Sequence, residues 1–104
     1  MLTKQDVRKV RAEIVGDDEK WPMMFNALAD VGRFRIFKLL LSRKDICVTD
    51  VANVLQISLP AASQQLRIME HSGLVRKERM GQMMCYSICD DDPLVKSIIK
   101  IIKS

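Results

Sequence analysis

Gln64 and Arg67 stand three residues apart in the stretch Leu59–His71. Their side chains are of the types that read base edges in duplex DNA: a carboxamide pairs with adenine, a guanidinium with guanine or a phosphate. Ser58, Pro60, Ala61 and Ser63 beside them are small, which lets a backbone sink into a major groove. A second polar group, Arg76, Lys77, Arg79 and Gln82, lies around Gly81 and suits a phosphate backbone or a minor groove, with Glu78 diluting its charge. Together these residues are the candidate DNA contacts. The plainer alternative is a solvated helix face with a few solvated cations, which most proteins have.

Sulphur is the other reactive element. Cys47, Cys85 and Cys89 are an odd number in a chain with no secretory pattern, so they are read as thiols and not as a disulfide framework. All three are candidates for redox sensing. Cys85 and Cys89 fall four apart in an extended stretch, about 13 Å at 3.3 Å per residue, too far to bond unless the chain bends after Ile88. Met83-Met84-Cys85 could offer soft donors to Cu(I), but ordinary strand packing explains the same three residues. His71, the sole histidine, closes its helix and suits a solvent or phosphate contact better than a metal. There is no nucleophile with an evident base, no phosphate-binding glycine loop and no paired-carboxylate motif, so an enzyme is not expected. No cofactor and no metal are assigned.

Elements of definite kind must carry these groups. The 104 residues suffice for one domain, and 48% apolar against 29% charged composition describes a globular chain. A net charge of +4 suits a polyanionic partner without requiring one. No apolar run nears the roughly 18 residues of a membrane span, and the start of the chain is polar, so a cytoplasmic protein is expected. Val7, Val10 and Ile14 recur at helical spacing and predict a helix over 3–15, capped by Thr3 and stopped at Gly16-Asp17-Asp18. Residues 23–41 pattern as helix with a break at Asp30-Val31-Gly32, and Phe34, Ile36, Phe37, Leu40 and Leu41 would supply core.

Two short helices follow, 49–55 and 59–72, each led by a hydroxyl residue able to cap it, and Gly73 ends the second. Ala62, Leu66 and Met69 form one face of that second helix, and the candidate contacts form the other. Strand-like stretches at 74–78 and 83–88 flank Arg79-Met80-Gly81-Gln82 and predict a hairpin. Asp90-Asp91-Asp92-Pro93 caps a last helix. The fold class is therefore mainly α with a small β-hairpin: a winged helix-turn-helix of five or six helices and a two-stranded wing. The single domain 1–104 divides into the helix-turn-helix at 49–72, the wing at 74–88 and terminal helices at 1–15 and 93–104.

In the last helix Leu94, Val95, Ile98, Ile99, Ile101 and Ile102 cover an arc of about 160°. One edge helix can hardly hide so wide a stripe against its own core, so the stripe is assigned to a homodimer interface completed by Val7, Val10 and Ile14. The alternative is a tightly packed core helix.

The run Ala27 to Leu40, read as LADVGRFRIFKLL after its first alanine, resembles the opening of the arsenic-repressor (ArsR/SmtB) family. Ser58 to Leu66 with Gly73-Leu74-Val75 is similar to that family's recognition helix, and Arg79-Met80-Gly81-Gln82 with Tyr86-Ser87-Ile88 resembles its wing. The resemblance spans residues 24–103. It implies a dimeric repressor on double-stranded operator DNA that is released by a metal ion or another inducer; a twofold dimer in turn predicts an operator that is an imperfect palindrome. Where the family's metal signature would carry two cysteines, this chain has Cys47 and Thr49; residues 94–104 hold no His, Cys, Asp or Glu. Both usual metal sites are thus degraded. What remains is thiol sensing, a soft-metal response through a non-standard Cys/Met site, or control by abundance or a protein partner. A winged-helix protein-interaction module without a DNA role is the competing class.

Overall fold

A computed structural model describes residues 1–16 and 19–104. The elements run α1 Lys4–Ile14, α2 Lys20–Ala29, α3 Val31–Ser42, β1 Ile46–Cys47, α4 Val48–Leu55, α5 Leu59–His71, β2 Val75–Met80, β3 Met83–Ile88 and α6 Pro93–Lys103. Short polar side chains set most of the helix starts. The Thr3 hydroxyl accepts from the Asp6 N–H at 3.1 Å while the Asp6 carboxylate accepts from the Thr3 N–H at 3.2 Å. Asp30 breaks the 23–41 pattern by ending α2 and capping α3, accepting from the Arg33 N–H at 3.0 Å. Ser58 caps α5, and Asp92, followed by Pro93, caps α6. In the predicted stop of the first helix, Asp17 and Asp18 lie outside the described residues.

Several boundaries differ from expectation; α2 begins at Lys20, three residues before the expected start at 23, with no side-chain cap to announce it. α4 starts at Val48 and its cap is Cys47, not a hydroxyl; the Asp50 carboxylate accepts from the Cys47 N–H at 2.9 Å and so secures the turn. Before it lies β1, which the sequence does not announce because two residues carry no period. β1 adds to the hairpin as a third antiparallel strand in the order β1-β3-β2. β2 also runs on to Met80, narrowing the hairpin turn to Gly81-Gln82. Gly81 has φ +65° at the first turn position, the place where a two-residue hairpin loop favours glycine.

The core gathers Met24 and Ala27 of α2, Ile36, Phe37 and Leu40 of α3, Val51 and Ala52 of α4, and Ala62, Leu66 and Met69 of α5. The sheet closes it with Val75, Tyr86 and Ile88. Phe34 and Leu41, expected in this core, are only half-buried because they lie at the margin of the face that α3 turns inward. The last helix departs from the all-interface expectation. Leu94, Val95 and Ile98 are buried within the chain's own core, Ile99 and Ile102 are half-buried, and Ile101 is 71% exposed. The apolar arc is thus shared between a core edge and an outer edge. Val7, Val10 and Ile14 are exposed, and α1 buries none of its residues. Among the described residues no helix is long and apolar enough to cross a membrane.

Candidate nucleic-acid interface

The turn between α4 and α5 depends on Gln56, whose left-handed φ of +56° ends α4, and on the Ile57 N–H, which bonds back to the Ala52 carbonyl at 3.0 Å. Ala52 is buried there, small enough for the helices to close up. The rotation of α5 about its own axis is set twice. Ala62, Leu66 and Met69 are all fully buried, which turns Pro60, Ala61, Gln64 and Arg67 outward and leaves Ser63 half-buried.

Gln65 is the second constraint. Its amide oxygen accepts from Arg33 Nη1 at 3.0 Å, and its Nε2 donates to the Asp30 carboxylate at 3.2 Å. Arg33 in turn donates from Nε to the Ala27 carbonyl at 2.7 Å. A half-buried polar cluster therefore joins the α2–α3 corner to α5. A β-carbon on Gly32 would come within 3.1 Å of both the Asp30 carboxylate and Gln65 Nε2, so glycine keeps that approach open. The Arg33 backbone N–H, more than its side-chain charge, holds the Asp30 carboxyl below the usual carboxylate range. Sequence reading missed Gln65, Arg33 and Asp30 as a unit. A charged residue inside the apolar run of α3 was the available signal.

The wing sorts its polar residues by strand alternation. Val75, Lys77 and Arg79 stand opposite Ile88, Tyr86 and Met84, on the sheet face that carries the core. The phenol of Tyr86 is pushed up by burial, then by the Glu70 carboxylate, with Arg67 opposing, and Met84 on this face lines a cleft with Leu59 and Ser63 at the start of α5. Arg76 and Glu78 lie on the other face. Arg76 pairs with Asp91, and the Cys89 sulphur, then the Asp91 carboxylate, hold its guanidinium above its ordinary range. It lines a cleft with Arg43, Ile99 and Lys103, away from Gln64. Arg76 therefore separates from the other wing candidates. Gln82 and Met83 at the hairpin tip share a second cleft with Thr49, Leu59 and Ser63, which sets the tip beside the start of α5.

The cysteines are arranged otherwise than read from sequence. Cys47 and Cys85 face each other across β1 and β3 and are joined as a disulfide, while Cys89 is free and half-buried. The expectation of three thiols fails because an unforeseen strand brings two of them together. Cys85 is thereby withdrawn from any Met83-Met84-Cys85 donor set. Among the described residues no group of three or more His, Cys, Asp or Glu side chains converges as a metal site would require. His71 is exposed at the end of α5.

Comparison with known proteins places these features. Residues 30–77 match the profile described as bacterial regulatory protein, arsR family. The chain is 37% identical over 89 residues to a transcriptional repressor SmtB homolog of Synechocystis, covering 84% of this chain and 67% of that one. It spans 54% to 70% of the length of further curated relatives. Among solved structures, HlyU of Vibrio cholerae superposes with a TM-score of 0.74 at 25% identity, covering 86% of this chain and 94% of that one. The homodimeric winged helix-turn-helix domain of Mb0332 from Mycobacterium bovis gives 0.71 at 22% identity over 99% and 87%, a likeness of fold. With a recognition-type helix, a wing beside it and these relatives, the chain belongs to the arsR family of bacterial regulatory proteins.

Proposed function

We propose that two copies of this chain bind an imperfect palindrome in duplex DNA and repress transcription there until an inducer weakens the complex. The observation that carries this reading is the agreement of two elements. Gln64 and Arg67 are exposed on α5, and the wing, which carries Lys77 and Arg79 on the face of Tyr86 and Met84, sets its tip in a cleft with Leu59 and Ser63 at the start of that helix. Gln64 and Arg67 would read base edges; Ser58, Pro60, Ala61 and Ser63 would admit the backbone; Lys77, Arg79 and Gln82 would hold phosphates. Arg76, engaged with Asp91 on the opposite face, is left out of the contact set.

Dimerisation is supported by apolar surface. Val7, Val10 and Ile14 of α1 and Ile101 of α6 are exposed. Trp21 and Phe25, with ring centroids 5.8 Å apart, are exposed on α2 as well. Lys20 bonds Asp92 at 2.6 Å and so holds the start of α2 against the start of α6. On α6, Leu94, Val95 and Ile98 are held in the core, and Ile99 and Ile102 are half-buried beside the exposed Ile101. A twofold pair would set its recognition helices about 34 Å apart, one turn of DNA. The relatives' printed names, a repressor and a homodimeric DNA-binding domain, agree with this reading.

Selection of bound sequences from a random duplex pool tests it. A palindromic consensus is expected, with preference at single positions relaxed by Gln64→Ala or Arg67→Ala by about 1–3 kcal/mol each. Recovery of no consensus, together with binding insensitive to salt, would instead favour a protein-interaction module.

A further inference from the structure

We propose that Cys47 and Cys85 are a reversible redox site whose disulfide fixes the wing to the helix-turn-helix and thereby sets affinity for duplex DNA. The inference rests on the DNA-binding reading above and adds to it the chemistry of a signal. Cys47 is at once the last residue of β1 and the cap of α4, the point at which the helix-turn-helix begins. Cys85 lies within β3, the inner strand of the wing. β1 pairs with β3 through two rungs, Ile46–Tyr86 and Cys47–Cys85, and one of them is the covalent one. So short a pairing frays readily when only hydrogen bonds hold it. Reduction therefore turns a fixed joint into a loose one at the base of the wing, and the tip residues Gln82 and Met83 lose their set position beside Leu59 and Ser63.

The oxidant class is a hydroperoxide. The Cys47 thiolate attacks one peroxide oxygen, the O–O bond breaks, and a sulfenic acid and hydroxide form. The Cys85 sulphur then attacks Cys47, the S–S bond forms and the sulfenic oxygen leaves as water. In sum two thiols and hydrogen peroxide give one disulfide and two waters. A dithiol reverses it by two exchanges, becoming a disulfide itself. Cys47 is the point of entry, being 7% exposed against 2% for Cys85, and it sits at a helix N-terminus, where negative charge is favoured. Cys89 lies beyond β3 beside Arg76 and takes no part.

The test compares the intact protein after hydrogen peroxide and after dithiothreitol, with free thiols titrated in each state. On a selected duplex, the oxidised form is expected to bind about tenfold tighter, because its wing is preorganised. Wing amides should exchange hydrogen more slowly in that form. Cys47→Ser, which leaves a good cap on α4, and Cys85→Ala should both bind like the reduced protein in either condition. Cys89→Ser should keep the full difference. Equal or tighter binding by the verified reduced form overturns the proposal, as does a response that Cys89→Ser abolishes and Cys47→Ser spares. If neither form binds any duplex, the DNA-binding reading falls and the affinity claim with it; unchanged amide exchange, by contrast, refutes the redox joint alone.

Discussion

Sorting the wing cations by sheet face leads to a quantitative expectation. Lys77 and Arg79 share the sheet face of Tyr86 and Met84, the latter lining a cleft with Leu59 and Ser63 of α5, whereas Arg76 is on the reverse and paired with Asp91. Replacing Lys77 and Arg79 with Ala removes two phosphate-seeking charges per protomer, hence four per dimer. At about 0.9 of slope per neutralised phosphate, the plot of log affinity against log salt should flatten by about 3.6. Between about 50 and 200 mM salt the deficit of the double variant should then shrink by about two orders of magnitude. Arg76→Ala should leave the slope unchanged. Fluorescence anisotropy on one selected duplex, titrated at four or more salt concentrations, measures both. If Arg76→Ala flattens the slope as much as the double variant does, the facing argument is wrong and the wing meets DNA with its other side.

Three further expectations follow from the same geometry. Arg33→Ala strips the Ala27 carbonyl and Gln65 of their donor and should cost about 1.5–3 kcal/mol in chemical denaturation, with Arg33→Lys recovering little, since the two acceptors are met by different nitrogens of a planar fork that lysine lacks; a loss within error would deny the cluster a structural role. Val10→Glu with Ile14→Glu should give a monomer by sedimentation and weaken duplex binding, and an unchanged dimer would move the interface away from α1. Asp30 and Asp92 both titrate below the ordinary range when folded, the first through the Arg33 backbone N–H, the second chiefly through the Lys20 side chain. Their stabilisation is complete above the unfolded carboxylate range and is lost as pH falls through the depressed folded values, so thermal midpoints should drop on acidification below about pH 4, and Asp30→Asn with Asp92→Asn should reduce that drop.

The helices and the hairpin were legible because their signals are local. Thr3, Asp30, Ser58 and Asp92 each announce a helix start, and Ala62, Leu66 and Met69 fix which side of α5 turns inward. The joining of Cys47 to Cys85 was illegible for a physical reason: β1 is too short to show alternation, and its partner lies 38 residues further along the chain. The division of the α6 stripe was hidden too, since a helical wheel gives the width of an apolar arc but not how much of it a neighbouring sheet covers. Among the candidate contacts, Gln64 and Arg67 were read correctly as outward, whereas Arg76 was grouped with cations from which one step of strand alternation separates it.

Adjacent glutamines on α5 have opposite duties. Gln64 points to solvent, and Gln65 is bonded inward to Arg33 and Asp30. The angle at which the helix would meet a groove is therefore inherited from a corner of the scaffold that never touches the ligand. A change at that corner would tilt every probe on α5 together, so sequence preference could drift across a whole half-site without alteration of any residue that reads it.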